Sequence, residues 1–87
     1  MQALTSTRLT AHAKLMMERR RIELEWVEDT IRAPETERTD ESDKSLTLAF
    51  RRIAASGGKW LRVVYRQEGQ VCIVVKAFFD RNQEKRA

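Results

Sequence analysis

The residues that could do chemistry in this chain are a single histidine, a single cysteine and a concentration of cations. His12 has the only type of side chain that exchanges protons near neutral pH without help from its surroundings. Residues 45–87 carry nine Lys and Arg against three Asp and Glu, whereas residues 35–44 carry two against five. The positive charge favours a polyanionic or acidic partner for the C-terminal half, unless it is simply a solvated, arginine-rich surface.

Length and composition predict that all 87 residues form one globular domain, with an ordered core over about residues 9–80. Residues 1–8 are expected to be frayed and residues 81–87 disordered. The longest uncharged apolar run, residues 71–75, is too short to cross a bilayer, and the N-terminus lacks the continuous apolar segment of a signal peptide. With Cys72 as the only cysteine, we expect a cytoplasmic protein with no disulfide, metal or cofactor, and a core position for Cys72.

Apolar residues at spacings of three and four predict two helices that share an apolar face. The first is expected from Thr10, its N-cap, to about Arg21–Glu23. The second is expected over Leu24–Ala33, because Pro34 disfavours helical geometry in the residue before it. Two short helices with a common apolar face need a sheet to cover that face.

In the C-terminal half the apolar pattern changes to a period of two, which predicts β-strands. We expect strands over about residues 46–51, 59–66 and 71–79, separated by turns that contain glycine. Residues 35–44 are wholly polar and form either a short edge strand at about Glu37–Asp40 or an acidic loop.

The hairpin between the last two strands decides which side chains share a face of the sheet. A three-residue loop at residues 68–70 places Arg62 opposite Lys76 and Trp60 opposite Phe78, and it keeps the other face apolar. A two-residue loop would mix polarity on both faces, so we expect the longer loop. In that register the side of the sheet that faces Val27 and Ile31 carries Leu48, Phe50, Leu61, Val63, Tyr65, Ile73 and Val75.

Short motifs follow one another in a recognisable order along about residues 9–80. They are His12, Met16, Arg19, Arg20 and Ile22 in the first helix, Ala33-Pro34 after the second, Leu61–Val64, and Val75-Lys76-Ala77-Phe78. This order resembles the domain of unknown function family 4258, a branch of the RelE/ParE-like toxin folds with the BrnT-type ribonuclease toxins as more distant relatives. The chain departs from the family pattern at Arg21, where the family has glycine, and at Lys76, where it often has threonine.

The resemblance implies an α+β, RelE-like fold in which two N-terminal helices pack on a twisted antiparallel sheet of three to four strands. It also implies a toxin of a toxin–antitoxin system that binds RNA or the ribosome and, if it is catalytically active, cleaves mRNA. An antitoxin protein would be its partner, wrapping the helices or completing a sheet edge. The alternative is an interaction module that kept the fold and lost the chemistry. The sequence favours no particular oligomeric state.

The chemistry of those relatives needs a proton acceptor for a 2′-hydroxyl and cations that stabilise charge on the phosphorane. His12 is the candidate acceptor, with a structural role on the helix face or a partner contact as alternatives. Arg62 is the candidate for charge stabilisation. Phe78 could stack on a base or on an antitoxin side chain, or it could complete the core. The expected RNA contacts are Arg51, Arg52, Arg62, Lys76, Phe78 and Arg81.

Overall fold

Three helices and a five-stranded sheet form the computed structural model of the chain, which describes residues 6–86 and the side chains of residues 6–83. The α+β class predicted from the change of period is confirmed. In chain order the elements are β1 (Ser6–Leu9), α1 (Ala11–Arg20), α2 (Leu24–Arg32), β2 (Thr36–Thr39), β3 (Thr47–Ile53), a 3-10 turn (Ala54–Ser56), β4 (Lys59–Glu68), β5 (Val71–Phe79) and α3 (Arg81–Arg86).

The sheet has more strands than predicted and is not purely antiparallel. Its strand order is β1-β5-β4-β3-β2, with β1 parallel to β5 and the other neighbours antiparallel. The expectation of three to four antiparallel strands is therefore wrong. It missed β1 because a four-residue strand whose partner lies near the other end of the chain leaves little local periodicity. Residues 6–8 belong to this strand and not to a frayed tail, while residues 1–5 lie outside the described residues.

Two further segments take a definite structure. The polar segment contains β2, an edge strand with all four residues exposed, so the first of its two interpretations is confirmed. Residues 81–86, expected to be disordered, form α3. The Asp80 carboxylate accepts a hydrogen bond from the backbone N–H of Asn82 at 2.9 Å, which satisfies a donor in the first turn of this helix.

Both ends of α1 are set by identifiable residues. Thr10 caps the helix as predicted, its hydroxyl accepting from the backbone N–H of Ala13 at 3.1 Å. At the other end Arg21 adopts the left-handed conformation, with φ 54° and ψ 47°. The next N–H, that of Ile22, donates to the carbonyl of Met17 at 2.9 Å and closes the helix. A side chain with a Cβ is strained at such a position, which accounts for the glycine in the family pattern.

Apolar clusters lie on both faces of the sheet, and α1 and α2 cover only one of them. On the helix side, Val27 and Ile31 pack in one cluster with Leu61 and Val63, as predicted. The second cluster contains Leu48, Phe50, Trp60 and Val64, with Leu46 and Val75 packed against it. The predicted helix-side positions are therefore wrong for Leu48, Phe50, Ile73 and Val75.

Leu48 and Phe50 take their face from the register of β3 on β4, which pairs them with Val64 and Arg62, whereas the β4–β5 hairpin explains the positions of Ile73 and Val75. Its turn is two residues long, and β5 carries one extra residue, Val75, which has no partner on β4. Arg62 consequently lies opposite Phe78. The predicted pairs of Arg62 with Lys76 and of Trp60 with Phe78 are both wrong.

Replacing Arg21 by glycine should stabilise the protein. Glycine adopts a positive φ without the Cβ clash, and this gain outweighs its extra entropy in the unfolded chain. We expect the free energy of unfolding to rise by about 0.5–1 kcal/mol, measured by urea denaturation. Arg19→Gly removes the same charge inside α1 and should instead lower stability by about 1 kcal/mol. A loss of stability in both variants would contradict this account of the helix end.

Candidate nucleic-acid interface

The surface of the sheet turned away from α1 and α2, which we call the basic face, carries most of the cations of the strands. Side chains alternate along a strand, and residues paired across antiparallel strands share a face, so the register assigns each side chain. The aromatic residues of this face are Phe50, Trp60 and Phe78. Its cations are Arg8, Arg38, Arg52, Arg62, Arg66 and Lys76.

Arginines of the basic face stack on its aromatic rings. The guanidinium of Arg38 lies 4.8 Å from the centroid of the Phe50 ring, and that of Arg52 lies 5.3 Å from the Trp60 ring. Arg62 lies between two rings, 5.7 Å from Phe50 and 5.3 Å from Phe78. These distances are within the range of cation–π attraction, and the alkyl stems cover apolar surface while the charges stay near solvent. The cations are thus held in place before any ligand arrives.

Arg62 occupies the centre of the stacked arginines and is only partly neutralised. One of its terminal nitrogens donates to the Asp80 carboxylate at 3.2 Å. Its Nε is buried and has no hydrogen-bond partner among the described residues. The Arg62 side chain is 26% exposed and that of Asp80 is 8% exposed, so the pair is largely desolvated and loss of either partner would leave a costly charge.

Arg52 is held by a carboxylate from the segment that leads into β2. Its Nε and a terminal nitrogen donate to one Glu35 oxygen at 3.0 and 2.8 Å, and its backbone N–H donates to the other at 2.7 Å. Hydrogen bonding from the Arg52 guanidinium holds the pKa of the Glu35 carboxyl below its usual value. The same pairing raises the pKa of Arg52. At neutral pH Glu35 is therefore ionised and competes with any external anion for Arg52.

Arg51 was also predicted to contact RNA, but it lies apart from the other predicted contacts. It lies in β3 on the helix side, where it pairs with Leu61, and its terminal nitrogen donates to the carbonyl of Ala33 at 2.8 Å. That carbonyl lies at the C-terminal end of α2, where a cation is favourable. Arg51 and Arg52 point to opposite faces because they are neighbours on one strand.

His12 and Arg62, the two residues considered for catalysis, are not brought together. His12 is exposed on α1, and the buried residues of that helix, Ala13 and Met17, belong to the helix-side cluster. Arg62 stacks on Phe50, which belongs to the cluster on the other face. The sheet therefore separates the imidazole from the basic face.

The remaining predicted contacts fall in two places. Lys76 is exposed on the basic face, and no carboxylate of the described residues lies within ion-pair distance of it. Phe78 is half-buried on the same face under Arg62. Arg81 is exposed at the start of α3, beyond the end of β5. Lys76 and Phe78 thus belong to one surface with Arg52 and Arg62.

Sequence reasoning overlooked three residues that shape this surface. Arg38 lies in a segment dominated by acidic residues and was therefore overlooked. Side-chain alternation along the possible edge strand could have placed it on one face of the sheet. Arg66 continues the alternation of Arg62 along β4. Asp80 gave no signal, because its pairing with Arg62 depends on the register of the hairpin.

Fold and surface together define an α+β protein with a mixed five-stranded sheet, of which one face is covered by helices and the other by arginines. A family model described as a domain of unknown function (DUF4258) matches residues 9–79. The match covers most of the chain, and the chain belongs to this family. No functionally curated protein and no solved structure matches it.

The described part of the chain contains neither a metal-binding cluster nor a membrane-spanning helix. Within it, no group of three or more His, Cys, Asp or Glu residues converges to hold a metal ion. No helix between residues 6 and 86 is long and apolar enough to cross a membrane.

Burial raises the pKa of the Cys72 thiol, which packs in the helix-side cluster as predicted.

If the basic face binds RNA, replacing Glu35 by glutamine should strengthen binding of an RNA oligonucleotide about two- to fivefold at 0.1 M salt, because Arg52 loses its internal competitor. Fluorescence anisotropy of a labelled single strand measures the change. Glu37→Gln is the matched control, since Glu37 pairs with Ala49 and lies on the helix side. Equal gains in both variants would mean that only net charge matters and that Arg52 makes no specific contact.

Proposed function

We propose that the chain is a toxin-like RNA-binding protein whose basic face contacts the phosphate backbone of RNA, free or in the ribosome. Phosphate contacts supply most of the affinity of such proteins, and arginine suits them because its planar fork matches phosphate oxygens. The observation that carries the proposal is the stacking of Arg38, Arg52 and Arg62 on aromatic rings, which fixes three guanidinium groups over one surface.

A RelE/ParE-like relationship is part of this proposal. It is supported by the order of elements, in which a helical hairpin packs against one face of the sheet and consecutive antiparallel strands follow it. It is supported as well by the concentration of cations on the uncovered face.

An antitoxin segment is the proposed protein partner, and β2 is the edge it would extend. This strand lies at the edge of the sheet, and its four residues are exposed. A partner strand could form main-chain hydrogen bonds there. Glu37 and Arg38 would then favour a partner with charged residues of both signs, because opposite charges stabilise cross-strand pairs.

The RNA-binding role of the basic face can be tested with Lys76→Ala. We expect weaker binding of single-stranded RNA and a slope of log affinity against log salt that is shallower by about 0.7, the value for one lost phosphate contact. Lys14→Ala removes the same charge from α1 and should leave the slope unchanged. Equal effects of the two variants would show that binding is not confined to the basic face.

For Arg62 the test is the double variant Arg62→Ala/Asp80→Ala. It removes both partners of the ion pair, so no buried charge is left unpaired and the net charge stays the same. A loss of RNA affinity of at least fivefold, with the thermal midpoint measured in parallel, would then be due to the guanidinium itself. Affinity equal to that of the parent chain would remove Arg62 from the interface.

A non-catalytic interaction module is the second candidate, and the placement of His12 favours it. The only histidine of the sequence lies on the helix side, away from the cations that would stabilise a phosphorane. The described residues can therefore account for RNA binding without cleavage.

Expression of the chain without a partner separates the two candidates. If the protein is a ribonuclease that uses the imidazole, growth arrest and cut mRNA should both disappear in His12→Gln. If arrest persists in His12→Gln but disappears in the Arg62→Ala/Asp80→Ala variant, the toxin acts mainly through stabilisation of phosphate charge by the basic face. Unchanged growth and intact mRNA with the parent chain would favour the interaction module.

A further inference from the structure

A cleft of about 370 Å³ lies at one end of the sheet, outside the stacked arginines of the basic face. It forms where the end of α1, the start of β4, the end of β5 and the start of α3 meet. Its volume is within the range of small-molecule sites in proteins. The cleft is lined by Arg20, Lys59, Trp60, Phe79, Asp80 and Arg81.

The lining of the cleft is cationic. Three cations against one carboxylate leave a net charge of +2, and each of the three cationic residues is exposed. The carboxylate is already engaged, because the Asp80 oxygens accept from the Arg62 side chain at 3.2 Å and from the Asn82 backbone N–H at 2.9 Å. An anion entering the cleft would therefore meet three cations and a carboxylate that is satisfied from within the protein.

The cleft also offers aromatic surface beside the cations. The ammonium group of Lys59 lies 5.5 Å from the centroid of the Phe79 ring, and Phe79 remains partly exposed. Trp60, which is 8% exposed, also contributes to the lining. A planar ring and an adjacent phosphate could be accommodated together, since aromatic side chains stack on bases of any sequence.

We propose that this cleft binds a phosphorylated nucleoside, with the phosphate held by Arg20, Lys59 and Arg81 and the base against Phe79. Trp60 contributes to both surfaces, but none of the three cations of the cleft belongs to the basic face, so the two sites can be tested separately. A free mononucleotide and the 5′-phosphorylated end of an RNA strand present the same chemistry. Only the second of these sources rests on the RNA-binding function proposed above.

Titration calorimetry of the full chain with AMP, adenosine and inorganic phosphate tests the site. AMP should bind at least tenfold more tightly than adenosine or phosphate alone, because only AMP uses both the cations and the Phe79 ring. In a Trp26→Phe background, where Trp60 is the only tryptophan, AMP should also change the fluorescence.

Single variants locate the binding in the cleft. Lys59→Ala and Arg20→Ala should each weaken AMP binding at least tenfold. Arg19→Ala removes a neighbouring charge from the same helix without touching the cleft and should leave the affinity within twofold. Equal losses in Arg19→Ala and Arg20→Ala would overturn the proposal.

Short RNA oligonucleotides with and without a 5′-phosphate identify the source. Binding of AMP that depends on Lys59 supports a free nucleotide as ligand. A preference for the 5′-phosphorylated strand that depends on Lys59, without AMP binding, supports a strand end. If neither AMP nor the 5′-phosphate has a Lys59-dependent effect, the cleft is not a nucleotide site. RNA binding through the basic face is measured independently, so either proposal can fail while the other stands.

Discussion

The unpaired residue Val75 decides which side chains of β5 face the helices. Between the turn and this bulge, Cys72 and Val74 point toward the helix-side core; beyond it, Ala77 and Phe79 do so. If Val75 were paired regularly and not bulged, the strand would keep one alternation, and Lys76 and Phe78 would point toward the helices. The bulge thus allows β5 to contribute to the helix-side core along its whole length and to the basic face near its C-terminal end.

The sheet has an apolar cluster on each face, but helices cover only one of them. The second cluster would be exposed to solvent if nothing else covered it. In this protein, arginines supply some of that cover. Phe50 is fully buried although no residue of α1 or α2 belongs to its cluster, and the guanidinium groups of Arg38 and Arg62 lie over its ring. The same side chains therefore shield apolar surface and present positive charge. A substitution of one of these arginines would therefore change both the cover of the apolar cluster and the charge of the basic face.

The features of the fold that could be predicted are those set by residues close together in the sequence. Thr10, the two N-terminal helices and the three long strands were predictable because periodicity and capping are local. The strand β1 was missed since its partner is remote. The faces of Leu48 and Phe50 were misassigned since the register of β3 on β4, which pairs Phe50 with Arg62, is not a local property. On the site, alternation could have separated Arg51 from Arg52, whereas the partner of Arg62 was not visible in any local pattern.

The parallel pairing of β1 with β5 has a consequence for synthesis of the protein. Thr10 and Val75, which are 65 residues apart, are joined at this junction, and the ladder beside it pairs Ser6 with Val71 and Leu9 with Val74. During translation the first strand emerges long before its partner exists, so this pairing must be among the last contacts to form. Until then β5 has an open edge next to Cys72 and Val74, two of its most buried residues. The nascent chain is therefore most exposed to wrong strand pairing just before β1 pairs with β5.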